Sequence, residues 1–283
     1  MAALPETLTN EEAIQSLAGI SADLALTAER MASFSVFSDI PRVSLQGLSE
    51  RIPGQRTPKL DKSPRMSVIA FTSGSTSGAK LKAFRVDLES VPAFTDAFTA
   101  LFGITRNDLW VVCHSFTHIV HLEYVLGGLG WGYDVALTDV VNVLMNGAQL
   151  RPSVLVTVPS VYEQLANQIR RRFPKSGARA EELERLLQQS LVDAKGDLVR
   201  RPIIPEAVSV VGDRLKIMLI GAAPSSVALQ GFLMKIGPPL FEGYGMSETY
   251  MIACNTPGHA RAGTVAGLGP VSRCGSTRRE SCR

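Results

Sequence analysis

Little of this chain's charge is left uncancelled. In 283 residues, 29 Lys and Arg stand against 26 Asp and Glu, a formal net charge of +3. A surplus so small and so dispersed leaves no electrostatic footprint for nucleic acid. The densest basic cluster, Arg170-Arg171-Arg172 with Lys175, ends an expected helix, where cations complement the helix dipole. Cysteine is scarce too. The four, at 113, 254, 274 and 282, show no zinc-ribbon or redox spacing and no disulfide framework, so a reducing compartment is expected. Long apolar runs are missing. The most apolar stretch, 119–137, is broken by His121, Glu123 and Asp134 and reads as buried core, short of a membrane span. Ala2-Ala3-Leu4-Pro5-Glu6 offers neither a basic nor an apolar leader region, so a cytoplasmic, non-secreted protein is expected. There is no internal repeat. With 45% apolar residues the chain can bury a sizeable core.

What is present concentrates in a few places. Phe71-Thr72-Ser73-Gly74-Ser75-Thr76-Ser77-Gly78-Ala79-Lys80 follows an apolar β-like run and packs five hydroxyls, two glycines and a lysine into one turn. Small residues let the backbone approach an anion, N–H groups and hydroxyls donate to its oxygens, and an ammonium adds charge, which suits a nucleotide's phosphates. A merely solvated Ser/Gly turn is the ordinary alternative.

Around that turn the pattern predicts alternating strands and helices. A helix is expected within 10–31, and another from Ser90, with Pro92 in its first turn and Gly103 closing it. Strands are expected at 109–113, 154–158 and 215–220. Ser160-Val161-Tyr162-Glu163 has the form of a capping box. Helices should turn Leu183, Leu186, Leu187 and Leu191 inward, and then place Leu229, Phe232, Leu233 and Ile236 on one stripe. A short strand at 239–241 precedes Tyr244. The alternation predicts an α/β fold, a largely parallel sheet covered by helices. Ligands of such sheets sit at the carboxyl ends of strands, where the pattern puts Thr72, Gly221 and Tyr244.

A second segment, Phe241-Glu242-Gly243-Tyr244-Gly245-Met246-Ser247-Glu248-Thr249, joins the phosphate turn in a resemblance to the adenylate-forming superfamily: acyl-CoA synthetases, adenylation domains of peptide synthetases, and luciferases. The family's phosphate loop, Thr-Ser-Gly-Ser/Thr-Thr-Gly-x-Pro-Lys-Gly, is kept at Thr72, Ser73, Gly74, Ser75, Thr76 and Lys80. It is altered at Ser77, Ala79 and Leu81, which stand for a glycine, a proline and a glycine. Tyr-Gly-x-Thr/Ser-Glu is matched in full by Tyr244 to Glu248. Gly221-Ala222-Ala223-Pro224 resembles the adenine-side loop, and Ser115-Phe116-Thr117-His118 is similar to the Pro-Leu-Phe-His stretch before the acyl pocket. The stretches 212–226 and 241–249 look most like long-chain acyl-CoA synthetases.

The resemblance implies part of the large N-terminal domain of an adenylate-forming enzyme, an acid–thiol ligase joining a carboxylate, expected to be a fatty acid, to ATP and passing the acyl group to coenzyme A. It gives phosphate contacts to Thr72–Thr76 and Lys80, Mg²⁺ to Glu248 with Thr76, and the α-phosphate to Ser247. Adenine falls to Gly221, Ala222, Ala223 and Tyr244, with Gly245 a further cofactor-binding residue, and the reacting carboxylate to His118, with Lys80 and Glu248 completing the catalytic set. By residue chemistry alone, alternatives stay open: a solvated lysine, a surface glutamate, a core tyrosine, a tight strand-to-helix turn. His114, His118 and His121 form an H-x3-H-x2-H string that could hold a metal, but no carboxylate or cysteine clearly joins it.

The expected organisation is an N-terminal helical and linker segment at 1–64, a partial AMP-binding domain at 65–271, and a disordered tail at 272–283, where the apolar pattern stops. The expectation is a chain shorter than its relatives, lacking the ribose-binding aspartate, the hinge and the lysine-bearing small domain, and poorly active alone. A missing domain or partner chain, a nucleotide-binding remnant, amino-acid adenylation, and peripheral contact with an intracellular membrane stay open beside it.

Overall fold

The computed structural model describes residues 9–17, 25–27, 34–35, 39, 42–44, 67–72, 82–87, 90–192, 201–237, 240–247, 249–257, 260 and 262–265. The chain divides into two units, Met1–Glu89 and Ser90–Arg283. In the first, helix α1 (Asn10–Leu17) starts at a capping box. The Thr9 N–H donates to Glu12 Oε2 (2.8 Å) and the Glu12 N–H to Thr9 Oγ1 (3.3 Å). The helix is shorter than its sequence pattern suggests, for β1 (Ala25–Thr27) lies inside the expected helical stretch and pairs in parallel with β2 (Arg42–Ser44). Strand pairing there overrides helical propensity. β3 (Ser67–Thr72) and β4 (Lys82–Asp87) form an antiparallel ladder from Ser67 opposite Asp87 to Thr72 opposite Lys82. Thr72 therefore ends a strand of this ladder, and not a strand of a parallel sheet as its position in the pattern suggested.

The second unit runs α2 (Ser90–Phe102), β5 (Leu109–Val112), α3 (Ile119–Trp131), β6 (Asp134–Leu137), α4 (Val140–Leu150), β7 (Val154–Thr157), α5 (Pro159–Arg172), α6 (Ala178–Gln188), α7 (Pro205–Val211), β8 (Ile217–Ile220), α8 (Val227–Ile236), β9 (Leu240–Met246) and β10 (Tyr250–Cys254). Its sheet has the order β6-β5-β7-β8-β9-β10, parallel throughout except for the antiparallel β9–β10 edge. From β5 the chain crosses to β6 at the edge and returns past β5 to β7. The strand order thus reverses between β5 and β7, where parallel sheets open a crevice at their carboxyl ends.

Side chains alternate across this sheet with the period of two that a strand imposes. Val111, Leu155, Met218, Ile220 and Leu240 enter one core with residues of α5, α7 and α8. Trp110, Val112, Val154, Val156, Ile217, Leu219 and Phe241 enter the other, with residues of α2 and α3. Both faces are covered, so the strands read as continuous apolar runs. The expected stripe of Leu229, Phe232, Leu233 and Ile236 is buried, behind a Ser226 cap whose side chain accepts from the Leu229 N–H (3.1 Å). The capping box expected at Ser160–Glu163 does not form. Val158 is the cap and Pro159 the first helical residue, because a proline there gives up only a donor that would be unpaired anyway. The glycine-rich end of α3 serves packing: a Cβ at Gly127 would come within 2.4 Å of the Tyr133 hydroxyl and 2.7 Å of Thr95 Oγ1. That space lets the Tyr133 hydroxyl donate to the Tyr124 carbonyl (2.8 Å). Among the described residues no helix is long and apolar enough to cross a membrane.

Candidate nucleotide site

Along the carboxyl edge of the parallel strands the candidate residues of the second unit fall in strand order. Past β5 comes His114, whose Nε2 lies 2.7 Å from Oγ1 of Thr157, the last residue of β7. Past β8 comes Gly221, and on β9, paired with β8 through Ile220 opposite Glu242, come Gly243, Tyr244 and Gly245. Gly221 and Gly243 are neighbours: a Cβ on Gly221 would meet the Gly243 carbonyl at 3.4 Å. Ala222 follows at φ +67°, a left-handed backbone that a methyl side chain tolerates at some cost. Ala222, Ala223 and Tyr244 are exposed. Tyr244 is 54% accessible, an unburied flat ring one residue along β9 from Gly243. It is neither a core tyrosine nor beyond a strand's end, since β9 extends to Met246 and pairs antiparallel with β10. Ser247 lies in the turn closed by the Thr249 N–H and the Met246 carbonyl (3.1 Å).

His118 caps α3 with an extended backbone and no side-chain capping bond, and its ring is exposed. The other two histidines do not share a helical face with it. His114 sits in the turn before α3, and only His121 is on the helix. The His114 and His121 rings are 5.1 Å apart, and those of His118 and His121 6.3 Å and nearly perpendicular. Among the described residues no group of three or more His, Cys, Asp or Glu is arranged to hold a metal. Burial, and then the charges of His114 and His118, press the His121 pKa down to about 3, so that ring is neutral at ordinary pH. His114 is lowered in the same way, by burial and then by His118. Two positions along α3 from His121, Glu123 is 1% exposed and burial alone raises its pKa to about 9.

Three residues that the motif reading did not single out organise this edge. Glu242 points between β9 and α8. Its Oε1 accepts from the Ser225 N–H (3.2 Å) and hydroxyl (3.3 Å), and its Oε2 from Gln230 Nε2 (2.7 Å). Asn255 donates its N–H to the Glu242 carbonyl (2.9 Å) and its Nδ2 to the Thr264 carbonyl (2.7 Å). The available signal was position: Glu242 occupies a core-facing place of the alternating strand Leu240-Phe241-Glu242, where an unpaired carboxylate is untenable. Gln230 likewise interrupts the apolar stripe of α8.

Of the candidate phosphate residues, Thr72 is placed by its backbone at the end of β3 in the first unit. Ser73, Gly74, Ser75, Thr76 and Lys80, and the candidate metal ligand Glu248, lie outside the described residues.

A model of the AMP-binding enzyme family matches residues 5–275. Long chain acyl-CoA synthetase 8 of Arabidopsis thaliana is 24% identical over 241 residues, 77% of this chain and 33% of its own length. Long-chain-fatty-acid–CoA ligase 2 of Schizosaccharomyces pombe is 30% identical over 221 residues, 69% of this chain and 31% of its own. The chain thus spans about a third of the curated relatives it matches. Among solved structures, an O-succinylbenzoate coenzyme A synthetase from Bacillus subtilis in complex with ATP and magnesium superposes at a TM-score of 0.66 with 17% identity, covering 94% of this chain and 49% of that one. A malonyl-CoA ligase with methylmalonyl-CoA and AMP bound gives 0.70 at 18% identity, covering 94% and 51%. These likenesses show the fold.

Proposed function

Since the chain belongs to the AMP-binding enzyme family, we propose that it carries the nucleotide-facing part of a site that activates a carboxylic acid, a long-chain fatty acid, as its acyl-adenylate for transfer to coenzyme A. The observation that carries this reading is the approach of Gly221 to Gly243 at the carboxyl edge of the parallel strands, with Ala222, Ala223 and the Tyr244 ring left exposed there. An adenine lies flat against small residues and stacks on an aromatic face, and both are offered there. Names of the relatives support the long-chain acid.

Attack of a carboxylate on the α-phosphorus brings two anions together, so the site has to lower charge repulsion and hold an in-line geometry. In this reading Thr72–Thr76 and Lys80 bind the β- and γ-phosphates, Ser247 donates to the α-phosphate, and Tyr244 with Gly245, Gly221, Ala222 and Ala223 seats the base. His118, exposed at the start of α3 and backed by the neutral His121, orients the carboxylate. Glu248, with Thr76, would hold Mg²⁺, which when bound neutralises phosphate charge. In this reading the protein works in the cytoplasm, in peripheral contact with an intracellular membrane that supplies the fatty acid.

The test is equilibrium binding of a fluorescent ATP analogue to the 283-residue chain, with and without Mg²⁺, followed by hydroxylamine trapping of acyl-adenylate with palmitate, acetate and single amino acids. Saturable binding that weakens roughly tenfold in Tyr244→Ala is expected, with any trapped product formed from palmitate. A cooperatively folded chain that binds no ATP overturns the nucleotide reading; trapping with amino acids but not palmitate overturns the substrate.

A further inference from the structure

We propose that Gln230, held by Glu242, is a positioning residue that joins the Ala222 loop to the turn at Gly263, so that ordering one orders the other. The inference rests on the nucleotide reading above. A carboxylate only accepts hydrogen bonds, so the Glu242 side chain dictates which end of the Gln230 amide faces it. The NH₂ donates to Glu242 Oε2 (2.7 Å) and to Ser225 Oγ (2.7 Å). Gln230 Oε1 is left pointing the other way, where it accepts from the Gly263 N–H (3.0 Å). Each link has one donor and one acceptor: Ser225 to Glu242, Gln230 to Glu242, Gly263 to Gln230.

The far end of this relay is braced. Gly263 sits at φ +78°, and a Cβ there would come within 2.6 Å of Val227 Cγ2 on the first residue of α8. Asn255 ties the same turn a second time, through Thr264, while its N–H holds the Glu242 carbonyl. The near end is the loop whose Ala222 is kept at φ +67°. A left-handed non-glycine residue persists where its surroundings over-determine it, and Glu242 supplies that restraint three residues on, at Ser225. Buried networks of this kind bind as a unit, so losing one link loosens the rest.

Reversing the relay's polarity tests it. In Glu242→Gln one acceptor oxygen becomes an NH₂, which faces either the Gln230 NH₂ or the Ser225 N–H, so a donor is left unmatched whichever way the new amide turns. In Gln230→Glu two carboxylates meet. The double variant Glu242→Gln/Gln230→Glu restores the path from Ser225 to Gly263, since Gln at 242 accepts from the Ser225 N–H and donates to Glu at 230, whose second oxygen accepts from Gly263; only the Ser225 hydroxyl, with one proton for two acceptors, gives up a contact. The readouts are affinity for a fluorescent ATP analogue and for inorganic triphosphate. We expect roughly fivefold weaker ATP binding in the first single variant, roughly tenfold in the second, and recovery to within about twofold in the double. Triphosphate affinity should not change, because it engages the phosphate turn and not this loop. Unchanged ATP affinity in both singles, equal loss for triphosphate, or no recovery in the double overturns the proposal. Hydrogen exchange on the unmutated chain needs no variant to fold: ATP should slow exchange in 221–226 and in 262–265 together, and slowing of the first alone overturns the coupling. A folded chain that binds neither ATP nor triphosphate sinks the nucleotide reading and this inference with it; a chain that binds ATP but fails the swap sinks the relay only.

Discussion

Two glutamates are buried on opposite faces of the same sheet and live under different physics. Glu242, 8% exposed beneath α8, takes three donors from Ser225 and Gln230. Glu123, buried on α3, has an Oε1 with no partner among the described residues, and burial keeps it protonated up to about pH 9. The tyrosines repeat the contrast. The Tyr162 hydroxyl lies 2.6 Å from the Leu155 carbonyl and 3.2 Å from that of Leu219, stitching α5 to two strands. The Tyr124 hydroxyl is buried with no such partner, as are Trp110 Nε1 and His121 Nδ1. A polar group in the interior stabilises only when its hydrogen bonds are made, and otherwise costs its desolvation. The α8 face has spent its polar residues on holding a loop in place; the α3 face holds its aromatics mainly by packing, with the Tyr133 hydroxyl bonded to the Tyr124 carbonyl.

The sharpest way to break the contrast is to empty the satisfied side. Glu242→Ala leaves three donors unmatched and should cost roughly 2–4 kcal/mol in chemical denaturation. On the other face the sign reverses and depends on pH. Glu123 keeps its proton in the folded chain from the ordinary value of 4.5 up to about 9, while the unfolded chain has released it, so stability falls as pH rises through that window. Glu123→Gln should therefore gain on the wild type by up to about 1.4 kcal/mol per pH unit there, read from denaturation midpoints at pH 5 to 8. A gain that does not grow with pH would mean that Glu123 is paired or ionised after all. His121 works against this trend, since its folded pKa near 3 lies below the ordinary 6.5 and stability is lost as pH falls between them. The tyrosines give a smaller and cleaner pair. Tyr162→Phe should lose about 1–2 kcal/mol while Tyr124→Phe stays within about 0.5 kcal/mol of wild type, and equal losses would erase the distinction. Smallest of all, Ser225→Ala removes one hydroxyl from the relay but keeps its backbone N–H, for about 0.5–1 kcal/mol.

Where the interior is apolar, the linear pattern was a sufficient guide. The runs at 109–113, 154–158 and 215–220 became β5, β7 and β8 within two residues at either end, because strands buried on both faces are uniformly apolar between turn residues. The α8 stripe was readable for the same reason, through its 3.6-residue period. Around Tyr244, however, the strand continues past its apolar start, since β10 returns to pair with it, and no local signal announces a partner residues away. The Ser160 box failed because Pro159 competes for the same helix start and is better suited to it. The Gly221–Ala223 and Tyr244 segments were visible as motifs, yet Glu242 and Gln230, which bond Ser225 and Gly263 beside them, look in sequence like an ordinary motif neighbour and an ordinary helix residue.

Composition and periodicity by themselves determined that this protein is an α/β fold with a helix-covered parallel sheet, and the order of its motifs was enough to resemble the family to which it belongs. Those are local and additive properties: burial sets the apolar runs, and turn chemistry sets the small residues between them. Only the tertiary structure decided that Gly221 would lie beside Gly243, that Tyr244 would remain exposed, and that one buried glutamate would be satisfied and the other not. The first two depend on how strands distant in the chain pair, and the last on which donors the fold brings within about 3 Å of an acceptor.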